Sequence, residues 1–271
     1  MTKRTFLYYL CNKSLQFFEV VAVLLNDVCY NLIQIDKMIN TMSQKRKEQF
    51  DRRHQEILRV AEQLLLDSVT HDLTLDVLAG QLDLAKGTLY KHFSSKDELL
   101  LSVLIEYQKQ SLSVSCINDG ASSSMVRTML FQLNHPQQAV MMTRLEERLS
   151  ATVVGLNRLF DELYQVRHAC ADNLLSTAHQ YLSEQDSTLS AVDYLSAVWA
   201  MVHGGAMLLN SSFYQRFVGK REELKWHLIE QALTLPKLYM ADEPKQDEPH
   251  LPKIDPNAPP KLIKPLMPPV V

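Results

Sequence analysis

Apolar residues recur at helical spacing through the central part of this chain. Between Arg53 and Leu66, the residues Ile57, Leu58, Ala61, Leu64 and Leu65 fall at i, i+1, i+4, i+7 and i+8, one face of an amphipathic helix. Thr74 is placed to cap a second helix through Val77, Leu78 and Leu82, with Asp76 in its first turn, where a negative charge suits the helix dipole. A third, short helix is predicted from about Ala85 to His92. Ser95, Lys96, Asp97 and Glu98 have the S-x-x-E form of a capping box, so a fourth helix starts there. Its pattern, Leu99, Leu100, Val103, Leu104 and Tyr107, runs on and connects the first domain rigidly to the next.

Beyond residue 120 the pattern reads as helices at about 122–133, 136–149, 151–184, 188–215 and 221–239. The segment from Tyr194 to Tyr214 is apolar nearly all round, as a helix buried on several sides is. Gly204, Gly205 and Ala206 permit close helix approach there, and Leu224, Trp226, Leu228, Ile229 and Leu233 give the next helix a second apolar stripe. Two such helices pairing with their symmetry mates would make a four-helix homodimer interface.

Composition supports helices over strands. Glycine is scarce, and nine of the eleven prolines lie beyond residue 240. The expected fold class is all-α: a compact N-terminal three-helix domain, then a larger helical domain. The expected boundaries are an extension at 1–42, the three-helix domain at 43–100, the second helical domain at 101–240 and a disordered Pro-rich tail at 241–271. Residues 1–41 read either as an upstream in-frame extension with Met42 the start in use, or as a short added helix.

The formal net charge of -3 means that any affinity for a polyanion must be local. Between Leu84 and Lys96 stand Lys86, Lys91, Lys96 and His92 with no acidic residue. Two helices joined by a short turn, the second entering the major groove by its N-terminal side chains, is helix-turn-helix geometry, and residues 74–92 have the lengths for it. Gly87 lets the backbone approach DNA, Thr88 can donate to a phosphate or touch a thymine methyl, and Tyr90 and His92 add donors for phosphate oxygens. Lys96 stands at a helix N-terminus, already favourable to an anion. Lys45, Arg46 and Lys47, with Arg52 and Arg53, can form an arm near the same backbone.

Ile57, Leu58, Ala61, Leu64 and Leu65, then Thr74, Val77, Leu78 and Ala79, and above all the run Lys86-Gly87-Thr88-Leu89-Tyr90-Lys91-His92-Phe93 through Leu100, resemble the N-terminal domain of TetR-type (tetracycline-repressor-like) regulators over about residues 50–100. The resemblance implies a homodimer whose C-terminal domain binds a small molecule that releases a double-stranded DNA operator. By position it implies Thr74 and Lys96 on phosphates, Lys86 and Thr88 in or beside the groove, Tyr90 and His92 on the backbone, and Leu89 and Phe93 in the core. The chain departs from the family at Val69 and Thr70, where Gly and an aromatic are usual. It departs again at Asp83, which stands for the turn Gly, and at Ala85, which stands for the Ser cap of the recognition helix. Asp tolerates a left-handed conformation better than most residues, so the turn should survive.

Effector pockets are lined mainly by apolar and aromatic groups with a few polar anchors. Met141, Met142, Phe160, Tyr164, His168, Trp199 and His203 are the candidates, and their methionines suit an adaptable site for a hydrophobic or amphipathic ligand, though each also fits ordinary core packing. A rival reading is an effector-independent dimer whose second domain serves protein contacts. Catalysis is not expected: no H-E-x-x-H, phosphate-cradling Gly loop or nucleophile elbow occurs, and His168, His179 and His203 lack ligand spacing, so neither metal nor cofactor is expected. Thiol sensing is a further possibility for Cys116 or Cys170, although Cys11, Cys29, Cys116 and Cys170 are far apart and lack basic neighbours, as suits buried thiols in a reducing cytoplasm. The apolar run Val20 to Leu25 is too short for a membrane span, and no cleavage site follows the apolar residues after Lys3 and Arg4, so a soluble cytoplasmic protein is expected.

Overall fold

The computed structural model describes residues 44–67 and 73–240. The expectations for the N-terminal extension, for the loop at Val69 and Thr70 and for the Pro-rich tail lie outside these residues. The described elements are α1 (44–67), α2 (Leu75–Gln81), α3 (Lys86–Tyr90), α4 (Lys96–Ser115), α5 (Ala121–Leu133), α6 (Pro136–Thr152), α7 (Asn157–Glu184), α8 (Ala191–Leu209), α9 (Ser212–Phe217), α10 (Arg221–Thr234) and a 3-10 turn at Leu235–Tyr239. The chain is all-α. An isolated antiparallel bridge between Ser187 and Met240 is the sole β pairing among the described residues.

Helices α1 to α3 enclose a small core of Ile57, Leu58, Ala61, Leu65, Leu78, Leu89 and Phe93, the face laid out by the apolar spacing of α1. This core does not end at residue 100. Leu99 to Leu101, Val103 to Ile105 and Tyr107 of α4 join it to Met142, Leu145 and Leu149 of α6 and to Leu163 of α7 in a single buried cluster. α4 is therefore buried on several sides and connects the first three helices to the body without a flexible linker. A second cluster unites α5, α7, α8 and α10 through Met125, Met129, Leu133, Tyr181, Tyr194, Val198, Val202 and Ile229.

Several breaks fall where local chemistry demands them. The helix expected over 151–184 is interrupted after Thr152 and resumes at Asn157, and Gly155 between them takes φ +90°, a region open to glycine. The helix expected over 188–215 ends at Leu209, and the hydroxyl of Ser211 accepts from the Tyr214 amide to start α9. Pro236 cannot donate to a continuing helix, and the chain tightens to a 3-10 turn.

By length and composition α8 is apolar enough to cross a membrane. Its buried positions Tyr194, Val198, Val202 and Leu209 nonetheless pack into the second cluster. Of its two adjacent glycines, Gly205 is the one at a close approach: a Cβ there would lie 2.3 Å from Cδ1 of Leu228 on α10, whereas one on Gly204 would meet nothing within 4 Å.

Candidate nucleic-acid interface

The turn between α2 and α3 works without its expected glycine. Asp83 adopts φ +51°, and the Leu84 amide donates to the Ala79 carbonyl at 2.9 Å, closing the turn. Thr74 caps α2 by accepting from the Val77 amide at 3.2 Å. α3 begins at Lys86 with Ala85 as a cap residue that supplies no side-chain acceptor. Leu89 and Phe93 are fully buried and fix which way the short helix faces.

With those two anchored inward, Lys86, Gly87, Tyr90 and Lys91 are exposed, and Thr88, His92 and Lys96 are half-buried. Of the expected DNA-facing residues, those from Lys86 to Lys96 therefore occupy one continuous stretch from the start of α3 to the start of α4, while Thr74 stands at the N-terminus of α2. Lys96 is the first residue of α4, whose cap is built from two serines. The Ser95 hydroxyl accepts from the Glu98 amide at 3.1 Å, while the Glu98 carboxylate accepts from the amide and the hydroxyl of Ser94. The carboxylate thus reaches one residue further back than the reciprocal box expected from S-x-x-E.

Lys45, Arg46 and Lys47 lie exposed in the first turn of α1. The ring of Phe50, one turn further on, stacks on His92 at 4.0 Å, and His54 stacks on Phe93 at 4.5 Å. These contacts bring the basic start of α1 beside the α3–α4 turn. Phe50 and His54 were not singled out from sequence. Their i, i+4 spacing on α1 was the available signal, hidden because both fall N-terminal to the apolar stripe.

Two electrostatic features modify the acid-free window. Asp76 of α2 accepts from Lys86 Nζ at 2.8 Å, and this contact raises the lysine's pKa. In the free protein Lys86 is paired. His92 is shifted the other way: burial, then the nearby His54 and Arg53, lower its pKa, and its Nδ1 is buried with no hydrogen-bond partner among the described residues. His54 is likewise lowered, chiefly by burial. Both imidazoles are thus held toward the neutral form.

Of the residues expected to hold an effector, Met142 belongs to one buried cluster that Met141 and Phe160 pack against, and Phe160 stacks with Tyr164. Met142 is buried, Met141, Phe160 and His203 are half-buried, and Tyr164, His168 and Trp199 are exposed. His168 pairs with Asp172 on the surface of α7, and the Arg167 guanidinium lies 5.8 Å over the Trp199 ring. Cys170 is buried and Cys116 exposed. Among the described residues no three His, Cys, Asp or Glu side chains are grouped to hold a metal ion.

The described chain is thus an all-helical body carrying a helix-turn-helix with an exposed basic turn. Residues 57–103 match the family model described as bacterial regulatory proteins, tetR family. The whole fold is similar to a TetR-family transcriptional regulator from Marinobacter aquaeolei VT8, with TM-score 0.53 and 18% identity over 70% of this chain and 91% of that one. It is also similar to a TetR-family transcriptional regulator from Agrobacterium tumefaciens, with TM-score 0.52 and 12% identity over 71% and 100%. A protein of unknown function from Rhodococcus sp. RHA1 aligns with TM-score 0.53 and 16% identity over 68% and 94%. At these identities the likeness is one of fold. No curated protein matches the sequence.

Proposed function

We propose that the chain is a homodimeric, cytoplasmic transcriptional repressor that a small hydrophobic or amphipathic effector releases from its double-stranded operator. The observation that carries this reading is the single buried cluster running from α1 and α3 through α4 into α6 and α7. Packed interiors transmit displacement instead of absorbing it, so a shift of α4 or α6 in the body reaches the helix that faces DNA.

Dimerisation is supported by the outer face of α8. Val192, Trp199 and Met207, spaced about two turns apart, are exposed, and Trp226 of α10 is exposed as well. A monomer leaves this apolar stripe in water, while a symmetric pairing of α8 and α10 with their mates buries it. The expected site residues divide by role. Tyr90, Lys96, Thr74, Lys91 and His92 position the phosphate backbone with the Lys45–Lys47 arm, and Lys86, Gly87 and Thr88 meet the groove.

The test is DNase footprinting and anisotropy on DNA recovered with the protein. Tyr90→Ala and Lys96→Ala are expected to weaken binding to every sequence. Lys86→Ala and Thr88→Ala are expected to change which operator is preferred. Unchanged footprints and affinities for all four would overturn the assignment.

A further inference from the structure

A cleft of about 570 Å³ opens between the C-terminal end of α1 and one side of α6, with Asn210 after α8 at its edge. The volume lies in the range of small-molecule sites. Its floor is apolar: Leu65, Val140 and Leu145 are buried, and Met141 beside them is half-buried. Above that floor stand Arg144 and Arg148, one helical turn apart on α6 and both exposed. Neither makes an ion pair among the described residues, so both guanidiniums are open to a ligand. Asp67 is the one carboxylate among the described lining residues, so the wall carries net positive charge.

We propose that this cleft binds an anionic amphiphile, a carboxylate or phosphate monoester on an alkyl or aryl tail, and that occupancy loosens α1 from α6. The proposal rests on the effector-released reading above and supplies its ligand class and site. The geometry divides the ligand. Two guanidiniums one turn apart form a fork for an oxyanion, an arrangement that planar, multiply donating Arg provides better than Lys. The tail lies along Leu65, Val140 and Leu145, with Met141 adapting to its shape.

The cleft also lies where a ligand has leverage. The side-chain amide of Gln137 donates to the Leu66 carbonyl at 2.6 Å, and that of Gln138 donates to the Glu62 carboxylate at 2.5 Å. Both bonds tie the end of α1 to the start of α6. A tail entering between Leu65 and Val140 favours a state in which these walls are further apart, and α1 carries the Phe50 and His54 rings that brace the DNA-facing turn.

The experiment titrates the full-length protein with decanoate, decyl phosphate and uncharged decanol by calorimetry, first without DNA and then with the operator bound. The comparison is with the surface double variants Arg144→Gln/Arg148→Gln and Arg144→Lys/Arg148→Lys, whose folds are checked by circular dichroism and melting temperature. At least one of the two anions is expected to bind the wild type. The Gln pair should weaken that binding by about tenfold or more, as loss of charge-assisted hydrogen bonds does, and the Lys pair should weaken it less. The better anion identifies the head group, and DNA affinity should fall on its addition in the wild type but not in the Gln pair. Absence of binding by both anions, equal binding by the Gln pair, equal binding of decanol, or bound anion with undiminished DNA affinity would each overturn the proposal. Operator affinity in the absence of ligand is measured separately, so failure of the regulator reading appears as loss of that baseline.

Discussion

His92 lies stacked against Phe50 with Nδ1 enclosed and unpartnered, 5.7 Å from the ring of His54. Protonation would put an N–H at Nδ1 with no acceptor and a second charge beside Arg53. Both histidines have pKa values lowered from 6.5, so the unfolded chain binds protons that the fold refuses. Their contribution to stability is complete above 6.5 and is lost as pH falls through the lowered folded values. The melting temperature of the wild type should therefore drop as pH is taken from about 7 to about 5. The double variant His54→Phe/His92→Phe keeps the ring stack and should flatten that part of the profile. A slope identical to wild type would show that other groups carry it. The Asp76–Lys86 pair is largely exposed, so its stabilising effect is small, and its consequence lies in binding. Asp76→Asn removes the negative charge paired with Lys86 and, on the proposed reading, frees that lysine for the operator. Affinity should rise roughly two- to fivefold at low salt and converge on wild type at high salt, as titrations across ionic strength would show.

At the scale of elements, the helix caps divide into those the side chains complete and one they do not. Ser95 and Thr74 each supply an acceptor, while α3, only five residues long, begins at Ala85 with none. Ala85→Ser should therefore stabilise the DNA-binding domain by about 0.5–1 kcal/mol, and Ser95→Ala should cost about 1 kcal/mol, both read from denaturant unfolding midpoints. These caps were legible in sequence because they depend on residues three apart. So was the left-handed turn at Asp83, where a short polar side chain met a geometric requirement. What could not be read depends on distance along the chain. Asp76 and Lys86 meet only once α2 and α3 fold against each other. The placing of the expected effector residues depends on distance in the same way: methionine and aromatic positions do not say which of two cores they serve. Met142 belongs to the cluster around α4, whereas Trp199 faces outward from the other.

For the whole molecule, the surface that the proposed dimer turns on is the outer stripe of α8 with Trp226 of α10. Gly205 is already committed to contact with Leu228 inside the chain, which leaves Gly204 as the small residue on the free side. A two-fold axis beside Gly204 would let the backbones of two α8 helices approach closely, with Trp199 and Met207 of each filling the space on either side. Trp199→Glu should then convert the dimer to monomer in sedimentation velocity, because a carboxylate facing its own mate is desolvated and repelled. The internal cluster of Tyr194, Val198 and Val202 is untouched, so helical circular dichroism should persist. Operator affinity should nevertheless fall by several orders of magnitude, since a monomer engages one half-site and loses the effective concentration that delivers the second. The salt dependence gives an independent measure. The slope of log affinity against log salt counts the phosphates engaged, and should be about halved in the monomer. A dimer that persists in Trp199→Glu would place the interface elsewhere, whereas a monomer with the wild-type slope would mean that one copy makes all the phosphate contacts.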